Sequence, residues 1–249
     1  MLTTGILDFV KFQCTERVRS IPCFNIYSNI HRKAASLNAL DVACILSIVS
    51  KSLVGCSEHD ERSSPSIFQI IVSVLNALVR LRRDLLGPLL PQLSMVLRQL
   101  FSLVRGVRPL LGVKQYRIVA DTFPKWINPI DPLRETEANS LARLLTAFTT
   151  KSFVRSHGNE TQKADSLARP FARHAPYVLL SYLQLMNDPL SVLSASMRRE
   201  LEPGLFALCA MVGENGRDTL MVQSLDIGGK ALLKSLWKEY GKQRYIGRG

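Results

Sequence analysis

Lys230, Lys234, Lys238 and Lys242 recur every four residues near the end of this 249-residue sequence. On one helix that spacing sets all four ammonium groups along a single stripe, with Leu233, Trp237 and Tyr240 left to pack on another side. A row of fixed cations suits sequence-independent contact with phosphates, each contact adding salt dependence. A solvated helix face has the same pattern, and both readings stay open. Arg244 and Arg248 follow, so the last twenty residues hold six cations against Glu239 alone. A second basic stretch carries Arg80, Arg82, Arg83, Arg98, Arg105, Arg108, Lys114 and Arg117 against Asp84 alone. The residues expected to meet RNA or a partner are Arg80, Arg82, Arg83, Lys114, Arg117, Lys230, Lys234, Lys238, Lys242, Arg244 and Arg248.

Catalytic patterns are harder to find. A phosphate loop needs an upstream glycine and a lysine followed by a hydroxyl residue, and Gly228-Gly229-Lys230-Ala231 lacks both. It reads instead as the opening of a helix, with Asp226 as its cap. Cys56 and His59 lie close in sequence, but no second ligand pair follows at zinc spacing. No G-x-S-x-G elbow occurs. His174 reads as a structural histidine at a helix start. Glu200 and Glu202 read as solvated or paired with Arg198 and Arg199. The expectation is a protein without catalytic residues, metal or cofactor, and not an enzyme.

The elements that must position the cations follow from composition. Hydrophobic residues make up 47% and aromatics 7%, and leucine alone supplies 38 positions. A leucine-rich, aromatic-poor chain favours helices over sheets. The net charge of +12 favours polyanionic partners such as nucleic acid. Cys14, Cys23, Cys44, Cys56 and Cys209 have no paired spacing, which excludes a disulfide framework and fits a reducing compartment. The first twenty residues make a poor signal peptide. No stretch approaches the roughly 20 apolar residues a spanning helix needs, so no membrane partner is expected.

The spacing of Ile67, Ile70, Ile71, Val74, Leu75, Leu78, Leu81 and Leu85 predicts a helix that Ser64-Pro65 begins and Gly87-Pro88 ends. Leu93, Val96, Leu97, Leu100 and Val104 predict the next, over about 91–105, as its antiparallel neighbour. Further helices are expected over 37–54, 135–154, 174–187, 194–212, 217–225 and 228–243, with Pro203-Gly204 as a bend or helix start and Asn215-Gly216 as a turn. Residues 106–133 hold four prolines and read as a connector with at most short helical turns. Polar loops are expected at 55–66 and 156–165, and no strand is expected. The fold class is therefore all-α, with antiparallel helix pairs stacked as an irregular HEAT/armadillo-like solenoid. An irregular bundle is the competing architecture. The expected division is 1–60, N-terminal helices of open boundary, and 61–249, a C-terminal helical domain.

Several segments of the second half share an order with a known family. They are Arg169-Pro170-Phe171, His174-Ala175-Pro176, the run from Leu201 to Leu208, Gly216-Arg217-Asp218, and the closing LLKSLWKEYGKQRYIGRG. Together they resemble the C-terminal domain of the nucleolar pre-rRNA-processing family called unhealthy ribosome biogenesis protein two, or nucleolar preribosomal-associated protein two. The resemblance implies a non-catalytic assembly factor and scaffold in early large-subunit biogenesis, in the nucleus and nucleolus. The partners it implies are pre-ribosomal particle proteins, namely a sister helical-repeat protein and a DEAD-box helicase, with pre-rRNA beside them. It transfers no catalytic residue. Because family members are much longer, the chain is expected to be a C-terminal portion of such a protein. The alternative is a protein-only helical-repeat adaptor, whose binding would hardly respond to salt.

Overall fold

The computed structural model describes residues 36–55, 65–153 and 164–246. The Ser64 cap, the Cys56/His59 pair, Arg248 and most of the two polar loops lie outside the described residues. Helix α1 spans Ala39–Ser52. It starts at Ala39 because Asn38 is extended and closes a capping box: the Asp41 amide donates to the Asn38 side chain at 2.9 Å, and the Asn38 amide donates to the Asp41 carboxylate at 3.0 Å.

Helix α2 spans Pro65–Leu81 and stops six residues short of Gly87. Arg82 leaves helical geometry at φ −132°, ψ 47°. Its guanidinium reaches the Leu37 carbonyl before α1 and pairs with Asp84 at 3.0 Å. The short helix α3, Arg83–Leu86, and a 3₁₀ turn, Gly87–Leu89, lead into α4, Leu90–Leu103. The expected inner face of α4 is fully buried, and of α2 the residues Ile67, Ile71, Val74, Leu75 and Leu78 are buried as well. Phe68, Val72, Ala77 and Val79 are also buried, so α2 meets neighbours on more than one side.

The proline-rich connector contains an eight-residue helix, α5, Val113–Ala120. Farther along, the Trp126 indole N–H donates to the Ser52 carbonyl at 2.9 Å, fastening the connector to the end of α1. Helix α6, Glu135–Ala147, ends seven residues before Val154. Its last turn is closed by Arg83, whose guanidinium donates to Ala147 O at 3.3 Å and Thr150 O at 2.7 Å. At the other end Glu137, buried, accepts from the Arg134 amide at 3.0 Å and from Gln69 of α2 at 2.7 Å.

Strands do occur, each two residues long. β1, Gly106–Val107, pairs antiparallel with β4, Ser191–Val192, and β2, Ser152–Phe153, pairs with β3, Ala164–Asp165. They tie loop ends together and leave the fold class all-α. Helices α7, Ala168–Phe171, and α8, Ala175–Asn187, precede α9, Ala195–Thr219. Ser194 caps α9 by accepting from the Met197 amide at 3.2 Å. The break in α9 falls at Gly213, at φ 66°, and not at Asn215-Gly216, because the turn needs the left-handed region that glycine enters freely. Pro203-Gly204 is neither bend nor start; it lies within α9, with Gly204 buried against Ala142. A π turn, Leu220–Ser224, leads to α10, Ile227–Ile246.

The helices pack in two rows. α1 lies on α4, α4 on α8, and α8 on α10; α2 lies on α6, and α6 on α9. α8 meets α9 across the rows. The principal partners of α2 and α4 thus lie in different rows, although the two were expected as close antiparallel neighbours. One hydrophobic cluster runs through both rows, from Leu37 and Val42 to Leu220 and Leu233.

Candidate nucleic-acid and partner interface

Helix α10 begins at a cap that the sequence announces. The Gly229 amide donates to Asp226 Oδ1 at 2.8 Å, and Asn187 of α8 donates to Asp226 Oδ2 at 2.7 Å. These bonds hold the Asp226 carboxyl below the ordinary aspartate value of 3.8, the Gly229 amide being the larger cause. One side of α10 faces the protein. Leu233 is fully buried, Trp237 lies under the Arg217 guanidinium at 5.5 Å, and the Tyr240 ring packs tilted against that of Phe206 at 6.1 Å. That side matches the expected inward face.

The opposite side is the lysine stripe. Lys234, Lys238 and Lys242 are exposed, and Lys230 is half-buried beside Asp226. Lys242 pairs with Glu239 at 2.9 Å, whereas Lys234 and Lys238 have no ion-pair partner among the described residues. Arg244 continues the exposed row. Two adjacent ammonium groups one helical turn apart, unpaired among the described residues and fixed on a helix anchored by its other side, form a small positive field suited to a polyanion's backbone.

The upstream cations divide into two kinds. Arg80, Lys114 and Arg117 are exposed. Arg82 and Arg83 instead direct their guanidinium groups to backbone carbonyls, as described above, and so hold helix ends together. In the sequence all five look alike, because a guanidinium's destination depends on which carbonyls the fold brings within reach. Arg105 is also turned inward: it donates to Asp188 and Ser191 at 3.3 Å and to Thr122 at 2.7 Å.

An open groove of about 530 Å³ runs between α4 and α8, with Arg98, Gln99, Arg105, Gln184 and Asp188 among its walls. Its charged groups are engaged with one another or with Ser181, to which Arg98 donates at 3.0 Å. His174 stands at the first turn of α8, its carbonyl accepting from the Tyr177 amide at 3.1 Å, and its ring lies 6.0 Å from that of Phe171. Glu200 accepts from Asn139 of α6 and so pairs with an amide rather than with Arg198 or Arg199. Among the described residues no three His, Cys, Asp or Glu side chains converge as metal ligands. No helix among them is long and apolar enough to cross a membrane.

Sequence reasoning overlooked the apolar residues beside Lys114 and Arg117. Leu110, Val113 and Ile118 are strongly exposed. The available signal was a cluster of branched apolar residues in a proline-rich connector with no periodic partner.

A family model described as the Urb2/Npa2 family matches residues 21–248. No curated protein and no solved structure matches the chain.

Proposed function

The chain belongs to the Urb2/Npa2 family, a family of ribosome biogenesis factors, and on that premise we propose that it is a non-catalytic scaffold in early large-subunit assembly and pre-rRNA processing. In this reading it works by holding components together in the nucleolus. Lys234, Lys238, Lys242 and Arg244, with Lys230 at the start of the row, hold the phosphate backbone of pre-rRNA. Arg80, Lys114 and Arg117 face protein partners of the pre-ribosomal particle, the sister helical-repeat protein and the DEAD-box helicase among them.

The observation that carries the reading is the two-sidedness of α10. One side is anchored by Leu233, Trp237 and Tyr240, and the other displays cations at Lys234 and Lys238 that have no acidic partner among the described residues. The alternation of the long helices between one row, α1, α4, α8 and α10, and a second, α2, α6 and α9, supports an irregular HEAT/armadillo-like solenoid, in which each layer is built from every second long helix. Because α1 shares the hydrophobic cluster with the later helices, the proposed C-terminal unit extends upstream of residue 61 to include it.

The test is filter binding of a pre-rRNA transcript to the purified chain at moderate salt. Replacing Lys230, Lys234, Lys238 and Lys242 with glutamate is expected to abolish binding while circular dichroism stays helical. Unchanged RNA binding, together with absence of the tagged chain from early pre-ribosomes, defeats the proposal. Retained association with particles but salt-insensitive binding favours the protein-only adaptor.

A further inference from the structure

We infer that the outer face of residues 108–118 is a docking surface for an acidic amphipathic segment of a protein partner. This deepens the partner half of the reading above by naming the chemistry of the partner at one place.

Three observations carry it. Leu110 is fully exposed at 104% and sits at φ 64°, the left-handed region that a leucine enters only under strain. The chain thus holds a strained backbone and a solvated apolar side chain at the same residue, and no packing among the described residues offsets either. Such strain persists where surrounding structure enforces it, and it gathers at ligand clamps. Second, Val113 is 84% exposed and Ile118 61% exposed. With Lys114 and Arg117 they occupy one contiguous arc of α5, on which the two cations lie side by side between Val113 and Ile118. Arg108, also exposed, extends the positive charge.

Third, the display is held firmly from behind. The Arg108 amide donates to the Leu190 carbonyl at 3.0 Å, and β1 pairs with β4 just before it. Gln115 accepts from the Gly112 amide at 3.2 Å at the start of α5. Val119 and Ala120 are buried at its end.

The chemistry selects the occupant. Branched aliphatic side chains offer no stacking platform for bases, which single-stranded nucleic acids take from aromatic groups. An amphipathic helix whose carboxylates lie between flanking leucines satisfies both the cationic and the apolar groups. The chain's own first 35 residues fit poorly, because they carry five cations against Asp8 and Glu16.

The experiment titrates the full chain with a fluorescent amphipathic helical peptide built of leucine and glutamate, beside a scrambled peptide of the same composition. Leu110→Gly and the pair Lys114→Glu with Arg117→Glu are each expected to weaken the amphipathic peptide about tenfold, the scale of losing a central interface anchor. Leu110→Gly is also expected to raise the melting temperature, since glycine relieves the positive φ, and to leave oligouridylate binding unchanged. That last readout separates failure here from failure of the RNA reading on α10. Absence of peptide binding, equal binding of the scrambled peptide, a lowered melting temperature in Leu110→Gly, or displacement of the peptide by oligouridylate overturns the inference.

Discussion

Gly204 of α9 lies against Ala142 of α6 so closely that a Cβ on Gly204 would stand 2.7 Å from the Ala142 Cα. Helices α6 and α9 therefore meet backbone to backbone here, and the missing side chain is what permits it. Leu145 Cδ1 would stand 2.9 Å away on the other side.

Gly204→Ala accordingly sets two effects against each other. Helix propensity favours alanine by about 1 kcal/mol. Overpacking against backbone costs about 1–3 kcal/mol, and here neither Ala142 nor the helix axis can swing aside. We expect net destabilisation in urea melts. Gly241→Ala in α10 is the control: nothing lies within 4 Å of its Cβ, so it should gain stability by up to about 1 kcal/mol.

Arg105 and Asp188 join the ends of α4 and α8 at 3.3 Å, with side chains only 14% and 26% exposed. Arg105→Met leaves Asp188 without its cation, and Asp188→Asn leaves Arg105 without its anion. Each is expected to cost about 1–3 kcal/mol, with a measurable coupling in a double-mutant cycle, because a mostly buried charge loses its partner.

Asp226 caps α10 through a carboxylate that its hydrogen bonds hold below its ordinary value. A depressed carboxyl value favours the folded state where the group is ionised. The contribution is present above 3.8 and disappears as pH falls through the lowered value. Asp226→Asn should therefore melt lower than the native chain at neutral pH, and the difference should vanish in strong acid. A constant gap across that range would refute the assignment.

Cys209 is fully buried, and desolvation pushes its thiol up to about 12. Iodoacetamide at mildly basic pH should spare Cys209 in the native chain and modify it once urea unfolds the protein. Cys44, half-buried in α1, serves as the internal comparison in the same peptide map.

If Lys234 and Lys238 each hold one phosphate, neutralising both with glutamine should flatten the salt dependence of RNA binding. The slope of log affinity against log salt should fall by about 1.4, at about 0.7 per contact on a single strand. A loss of affinity with no change in slope would mean that the lysines act through the fold.

The helices were legible because burial imposes a 3.6-residue period on leucine: the inner face of α4 and most of that of α2, though not the exposed Leu81 at its end, read directly from spacing, as did the Asp226 cap and the two-sided α10. The family was legible in the segments from Arg169 onward. Helix ends were less so. α2 stops at Leu81 and α6 at Ala147 because Arg82 and Arg83 reach carbonyls far away in the chain, and no local pattern announces where a guanidinium will find them. The break likewise falls at Gly213, at φ 66°, rather than at Asn215-Gly216, and no local pattern tells one glycine from the other. Only the tertiary structure decided which cations remain outside, since a side chain's solvation depends on neighbours scores of residues away. It also decided that Leu110, Val113 and Ile118 stay exposed: composition marks them as core material, and only the three-dimensional packing shows that no part of the described chain covers them.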